Sequence, residues 1–384
     1  MKACAPFLLS LALVACSTAP VAPQADHRLF NDQLFSAPSE RISADSAFAV
    51  SDAMKHFVNV EIAEQLHTAG YLPGFVQALQ TKGQLKLEYD AAMTRNASQA
   101  FDVRAGNCLS LVIMTAALAK ELGLSLRYQA VYVDDSWSRS GDVYFSIGHV
   151  NLTLGRRLMD GGFGRNDDNT FVIDFLPPED IRTLRVRIIE ESTVVAMYMN
   201  NRAAESFVQG RLDDAYWWAR GAIEKDPGFI GAYNTLGVIY RRHGNLKEAE
   251  QTLVYALDRE PDNTHVMTNL AGVLDGMGRV SERTALLRKL EKLEPNPPFS
   301  YFNSGLRAMR DGNFKTAKDL FTKETKRVPY YHEFHFWLAL AYVNLGEIDH
   351  AREQLKIALQ YCTTPNDHAL YAAKLDRIRA YQTN

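Results

Sequence analysis

The sequence predicts an α+β domain followed by an all-α superhelix of repeated helix pairs. Three observations carry this reading. Glycines at Gly210, Gly244, Gly278, Gly312 and Gly346 stand 34 residues apart. Prolines at Pro227, Pro261, Pro295 and Pro329 keep the same 34-residue spacing, and a period of that length marks stacked supersecondary units. Upstream, apolar helix-favouring stretches are followed by short β-rich runs, the mixture expected of an α+β unit. With 384 residues, 47% hydrophobic and 23% charged, the chain is long enough for both parts and has an ordinary globular composition.

Composition excludes several classes. A net charge of −3 gives no basic excess for nucleic acid. Beyond the extreme N-terminus no apolar run reaches the roughly 18 residues that a membrane helix needs. Four cysteines are too few for a disulfide scaffold.

The chain opens MKACAPFLLSLALVACSTAP. Lys2 followed by apolar Ala3–Ala15 fits a secretory signal over residues 1–15, too short to span a bilayer. Residues 16–40, interrupted by Pro20, Pro23 and Pro38, read as a flexible tether. Leu13-Val14-Ala15-Cys16 resembles the lipobox of bacterial lipoproteins. That resemblance implies lipidation of Cys16 and a lipid-anchored place in the bacterial cell envelope. With Ser17 next, it implies the outer membrane, facing the periplasm. An ordinary signal peptide with an incidental cysteine is the other reading.

In the C-terminal half, residues 196–365 divide into five units and residues 366–384 form a capping helix. Over residues 232–263, Tyr233, Leu236, Gly237, Tyr240, Gly244, Ala249, Leu253, Ala256 and Pro261 follow a helix–turn–helix pattern. The turn glycine tolerates a left-handed backbone. Gly237 and Ala249 are small where paired helices approach, and Pro261 ends the second helix. This pattern resembles the tetratricopeptide repeat. The resemblance implies a groove for a protein or peptide partner, lined by Asn200, Asn234, Arg241, Arg242, Phe302, Leu306, Phe336 and Asn344. Packing of these residues against the N-terminal domain is the alternative.

Residues 41–190 hold the candidate chemistry. Apolar spacing predicts helices over Ala47–Ala69 and Leu79–Met93, separated by a break at Pro73-Gly74. A third helix runs from Cys108 to Leu122, started by the turn Gly106-Asn107 with Asn107 as N-cap. Strands are predicted at Leu126–Val133, His149–Leu154 and Phe171–Phe175, with a long loop over residues 134–147 whose Trp137 or Tyr144 borders a cleft. Cys108 therefore opens a helix, where about half a positive charge and free N–H groups favour a thiolate.

The order of Cys108 on a helix start, His149 opening a strand and Asp174 in a later strand resembles the transglutaminase-like superfamily of papain-like cysteine enzymes. The resemblance implies Cys108 as nucleophile, His149 as general base and Asp174 as the acid that orients the imidazole. It implies acyl transfer through a thioester, with no metal or organic cofactor. His149 is followed by Val150-Asn151 and not by the aromatic-rich string of cross-linking members, so amide hydrolysis is favoured over cross-linking. Asp160 is a rival for Asp174, although Asp160-Gly161-Gly162 has the composition of a turn. Asp160, Asp167 and Asp168 fit no EF-hand spacing, and no CxxC, HxxxH or HExxH string suggests zinc. A Cys108–Cys362 disulfide would remove the nucleophile. A catalytically inactive scaffold for an envelope protein complex is the second functional reading.

Overall fold

A computed structural model describes residues 24–81, 85, 87–90, 93–132, 137–140, 143–146, 149–157, 170–175, 185–297, 299–362 and 364–382. The signal segment, Cys16, Asp160, Asp167 and Asp168 lie outside the described residues.

The first helical stretch is shorter and more broken than its apolar spacing predicts. Ser51 caps α1 (Asp52–His56), a π-helical turn covers Phe57–Glu61, and α2 (Ala63–Ala69) ends at Gly70, whose φ is +87°. Next comes α3 (Tyr71–Gln80). Pro73-Gly74 lies inside it and is not a break, because Pro73 occupies the first turn, where a missing N–H costs nothing. The expected helix over Leu79–Met93 does not form: α3 ends at Gln80 and β1 (Glu88–Tyr89) pairs in parallel with β2 (Ala105–Gly106). Between these two strands lies α4 (Ala97–Val103), with a capping box between Asn96 and Gln99.

The centre of the α+β part is α5 (Cys108–Glu121), in which every residue from Cys108 to Ala119 is buried. Such all-round burial matches its mostly apolar sequence, in which only Ser110 and Thr115 are polar from Cys108 to Ala119. It packs on a four-stranded antiparallel sheet with the order β7-β6-β3-β8. The strands are β3 (Leu124–Tyr132), β6 (His149–Arg157), β7 (Phe171–Ile173) and β8 (Arg185–Ile189). A separate hairpin, β4 (Trp137–Ser140) with β5 (Val143–Ser146), stands where a loop is expected; Trp137, Val143, Tyr144 and Phe145 suit a pleated strand. Along β6 alternation places Val150, Leu152 and Leu154 on one face and His149, Asn151 and Thr153 on the other, all six buried.

The rest is a row of antiparallel helix pairs: α6 (Glu191–Val208) with α7 (Leu212–Lys225), α8 (Ile230–His243) with α9 (Leu246–Arg259), and α10 (Thr264–Gly276) with α11 (Val280–Leu293). Then follow α12 (Ser300–Arg310) with α13 (Phe314–Arg327), α14 (His332–Asn344) with α15 (Ile348–Tyr361), and a final α16 (Pro365–Gln382). Each of the five periodic glycines sits between the helices of a pair with φ between +71° and +94°, a conformation that costs glycine little. Gly237 has no room for a side chain, since a Cβ there would lie 2.6 Å from Leu253 Cγ. Each periodic proline falls two residues beyond the end of a second helix.

Residues 26–40 differ from the expected flexible tether. They lie against the first two helix pairs as a strap. Phe35 stacks on Tyr216 with ring centroids 4.0 Å apart, Asn31 N donates to Tyr240 Oη, and Tyr240 Oη donates to Leu29 O, each at 2.9 Å. Ser39 N donates to Asp214 Oδ1 at 2.6 Å. One hydrophobic core runs from Leu29 through α5 and the sheet to Leu274, while Phe299–Ala341 and Phe336–Ile378 hold two further clusters. Among the described residues no helix is long and apolar enough to cross a membrane.

Candidate active site

The start of α5 is built by local hydrogen bonding. Asn107 is the N-cap: its Oδ1 accepts from Ser110 N at 2.9 Å and from Ser110 Oγ at 2.8 Å. Gly106 leaves the space for this, because a Cβ there would lie 2.7 Å from Ser110 Cβ. The cap fixes Cys108 as the first helical residue, where backbone N–H groups have no intrahelical acceptor and the helix dipole favours negative charge.

His149 opens β6, opposite Val131 of β3. Its Nε2 lies 2.8 Å from Asp174 Oδ1, and with an ionised carboxylate the imidazole N–H donates. The Cys108 sulfur is close enough to favour the charged form of the His149 ring. The three sequence-predicted residues are thus brought together from a helix start, a strand start and the end of β7. Burial opposes charge on the ring, but Asp174 and Cys108 outweigh it and hold the His149 pKa up to about 9, against an ordinary 6.5. All three groups are enclosed: Cys108 is 5% exposed, and the His149 and Asp174 side chains 3% and 6%.

Sequence reasoning missed Asn151. It is buried beside His149 on the same face of β6, and its Nδ2 donates to Asp174 Oδ2 at 2.9 Å. The available signal was the two-residue step from His149 in a strand. Cys108 and Cys362 are both free thiols, so no bridge between them consumes the sulfur. Cys362 Sγ instead donates to Leu359 O, and burial pushes its thiol pKa up. Among the described residues no group of three or more His, Cys, Asp or Glu is placed to hold a metal ion.

The expected groove residues separate. Asn234 and Arg241 of α8 are half-buried and face α10: Asn234 Oδ1 accepts from Asn269 Nδ2 at 2.8 Å, and Arg241 lies against Gly272. Arg242 is exposed. Asn200 on α6 is half-buried, with an Oδ1 that has no hydrogen-bond partner. Asn344 is exposed, and its Nδ2 donates to Leu340 O in its own helix. Leu306 is half-buried against the core of its own helix pair. Phe302 and Phe336 do not line a groove. Phe302 is buried between Phe321 and Phe334, and Phe336 stacks on Tyr371 of α16. Each aromatic ring buries more apolar area in the contact between helices than an open face allows.

Two segments, residues 219–251 and 302–364, match models of the tetratricopeptide repeat. The helix pairs within these two segments are tetratricopeptide repeats. Solved structures similar to the chain include the MamA protein, at 19% identity and a TM-score of 0.26 over 45% of this chain and 93% of that one. Another is YrrB, a tetratricopeptide protein with an unusual peptide-binding site, at 23% identity and a TM-score of 0.25 over 47% and 92%. A third is PilF of Pseudomonas aeruginosa, at 19% identity and a TM-score of 0.29 over 50% and 99%. No curated protein matches the chain.

Proposed function

We propose that the chain is a cysteine-dependent acyl-transfer enzyme of transglutaminase-like type, hydrolysing an amide, with a repeat array that docks a protein or peptide partner. The observation that carries this is His149, bound to Asp174 at 2.8 Å and held in its charged form by Asp174 and the nearby Cys108 sulfur. In this reading Cys108 attacks a carbonyl carbon as the thiolate. His149, charged beside it, donates the proton to the leaving amine and then removes one from the water that opens the thioester. Asp174 keeps the ring in one orientation and tautomer. The start of α5 supplies N–H donors for the developing oxyanion, that of Cys108 among them.

The leader and Cys16 support a lipid-anchored protein of the bacterial cell envelope at the outer membrane, facing the periplasm. Loss of labelling by a fatty-acid analogue in Cys16→Ala would test this. The domain division proposed is 1–15 signal, 16–40 anchor and connecting segment, 41–190 transglutaminase-like, 196–365 repeats and 366–384 capping helix.

The decisive experiment is site-resolved alkylation by iodoacetamide, read by mass spectrometry, together with labelling by a thiol-reactive amide warhead. Cys108 is expected to react faster than Cys362 near neutral pH and to lose that advantage in His149→Ala. A Cys108 that reacts no faster than Cys362 refutes the enzyme. The 5% exposure of Cys108 favours the second reading, a catalytically inactive scaffold for an envelope complex, and that outcome selects it.

A further inference from the structure

We infer that the first repeat helix, α6, is part of the machinery that positions the proposed nucleophile, through the positioning residue Thr94; the inference rests on the cysteine-nucleophile reading above. Thr94 is buried and joins two elements far apart in sequence. On one side its Oγ1 accepts from Asn107 Nδ2 at 2.8 Å, and Asn107 is the N-cap immediately before Cys108. On the other side Thr94 N donates to Glu205 Oε1 of α6 at 2.6 Å, and Asn201 Nδ2 of α6 donates to Thr94 Oγ1 at 3.3 Å. Next in the chain, Arg95 N donates to Ser110 Oγ at 2.8 Å, so the 94–95 segment grips the first turn of α5 at two points.

Glu205 is itself fixed. Arg202 Nη1 donates to its Oε2 at 3.1 Å, and Arg202 in turn reaches Glu40 of the strap at 3.2 Å. Burial raises the Glu205 pKa, opposed by the hydrogen bonds from Thr94 and the charge of Arg202. Glu205 is half-buried, with its side chain 20% exposed, and a largely enclosed acceptor is costly to leave without its donors. The N-cap side chain sets the direction of the first N–H groups of the helix, which begins at Cys108 and in the proposed reaction supplies the oxyanion donors. A shift of α6 therefore moves the cap, and the cap moves the donors. Because α6 is also the first helix of the repeat array, the repeats complete the proposed active site and are not a detachable adaptor.

The test compares Thr94→Val with Thr94→Ser, and Glu205→Ala with Glu205→Gln, in the full chain. Two quantities are read: the iodoacetamide alkylation rate of Cys108 against pH, and amide hydrogen exchange over residues 108–111. Thr94→Val and Glu205→Ala should each slow Cys108 by about fivefold, the scale of one lost hydrogen bond, while the conservative partners stay within about twofold of the natural protein. Exchange over 108–111 should rise in the same two variants only. If neither quantity changes in Thr94→Val and Glu205→Ala, or the conservative partners fall equally, the inference is overturned. If natural Cys108 reacts no faster than Cys362, the enzyme reading fails, and the exchange pattern alone decides whether α6 positions the cap. Should Glu205→Ala not fold, the Thr94 pair decides.

Discussion

Asn151 Nδ2 donates to Asp174 Oδ2 at 2.9 Å, and the other oxygen of the same carboxylate holds His149. Both oxygens of Asp174 are therefore engaged in a nearly closed space. Asn151→Leu removes one of these donors and leaves a buried carboxylate oxygen short of a partner. It should cost roughly 1–3 kcal/mol of stability. An NMR titration should show the His149 pKa moving up from about 9, because the carboxylate that has lost a donor depends more on the charged ring; an unchanged value would show that Asn151 acts only by filling space.

Asp174→Asn keeps the shape and removes the charge. It should bring the His149 pKa from about 9 toward 6.5. It should also slow Cys108 alkylation at neutral pH on the order of tenfold or more, because the ring loses the partner that fixes its tautomer. Equal rates in the two proteins would mean that Cys108 owes its reactivity to the helix start alone.

Stability should depend on pH through His149. Its folded pKa is raised, so the charged ring stabilises the folded state. That contribution is complete below the unfolded value of 6.5 and disappears as pH climbs through about 9. For an enclosed group the loss is on the order of 3 kcal/mol. Urea midpoints measured from pH 6 to pH 10 should fall across this window in the natural protein and stay flatter in His149→Gln.

One buried ring of the strap packs flat on the repeats. Phe35 lies nearly parallel to Tyr216, at 7° between planes, and is buried. Phe35→Ala should cost about 3 kcal/mol, the usual scale for a buried phenylalanine. Limited proteolysis should then cut residues 24–40 sooner than the repeats. Unaltered resistance would assign the attachment to polar contacts: Asn31 to Tyr240, Asp32 accepting from Tyr216 and Arg220, and Ser39 to Asp214.

Gly237→Val probes the packing within a repeat. The added atoms meet Leu253 across the α8–α9 contact, where overpacking costs about 1–3 kcal/mol. Gly237→Ala should cost less than the valine, and equal thermal midpoints for all three proteins would contradict the close approach.

The repeats were legible because their constraints are local and recurrent. A glycine that must adopt positive φ and a proline that must follow a helix leave the same mark every 34 residues. Cys108, His149 and Asp174 were nameable from order and element type, since a helix start and two strands bring them together. Asn151 and Thr94 were not, because their importance comes from partners over 20 and 100 residues away, Asp174 and Glu205. The strap was misread for a related reason. Pro20, Pro23 and Pro38 argue against a helix but say nothing about burial, and Phe35 finds its partner in Tyr216, 181 positions on. Phe302 and Phe336 were misplaced because helical position alone does not tell an open face from one covered by the next helix.

The apolar interior that begins at Leu29 continues without interruption through α5, the sheet and the first three helix pairs to Leu274, then gives way to two smaller clusters. Heat should therefore release the molecule in stages. The last two pairs and α16 can fray while everything upstream stays intact, and the upstream part, sharing one interior, melts as a single cooperative block.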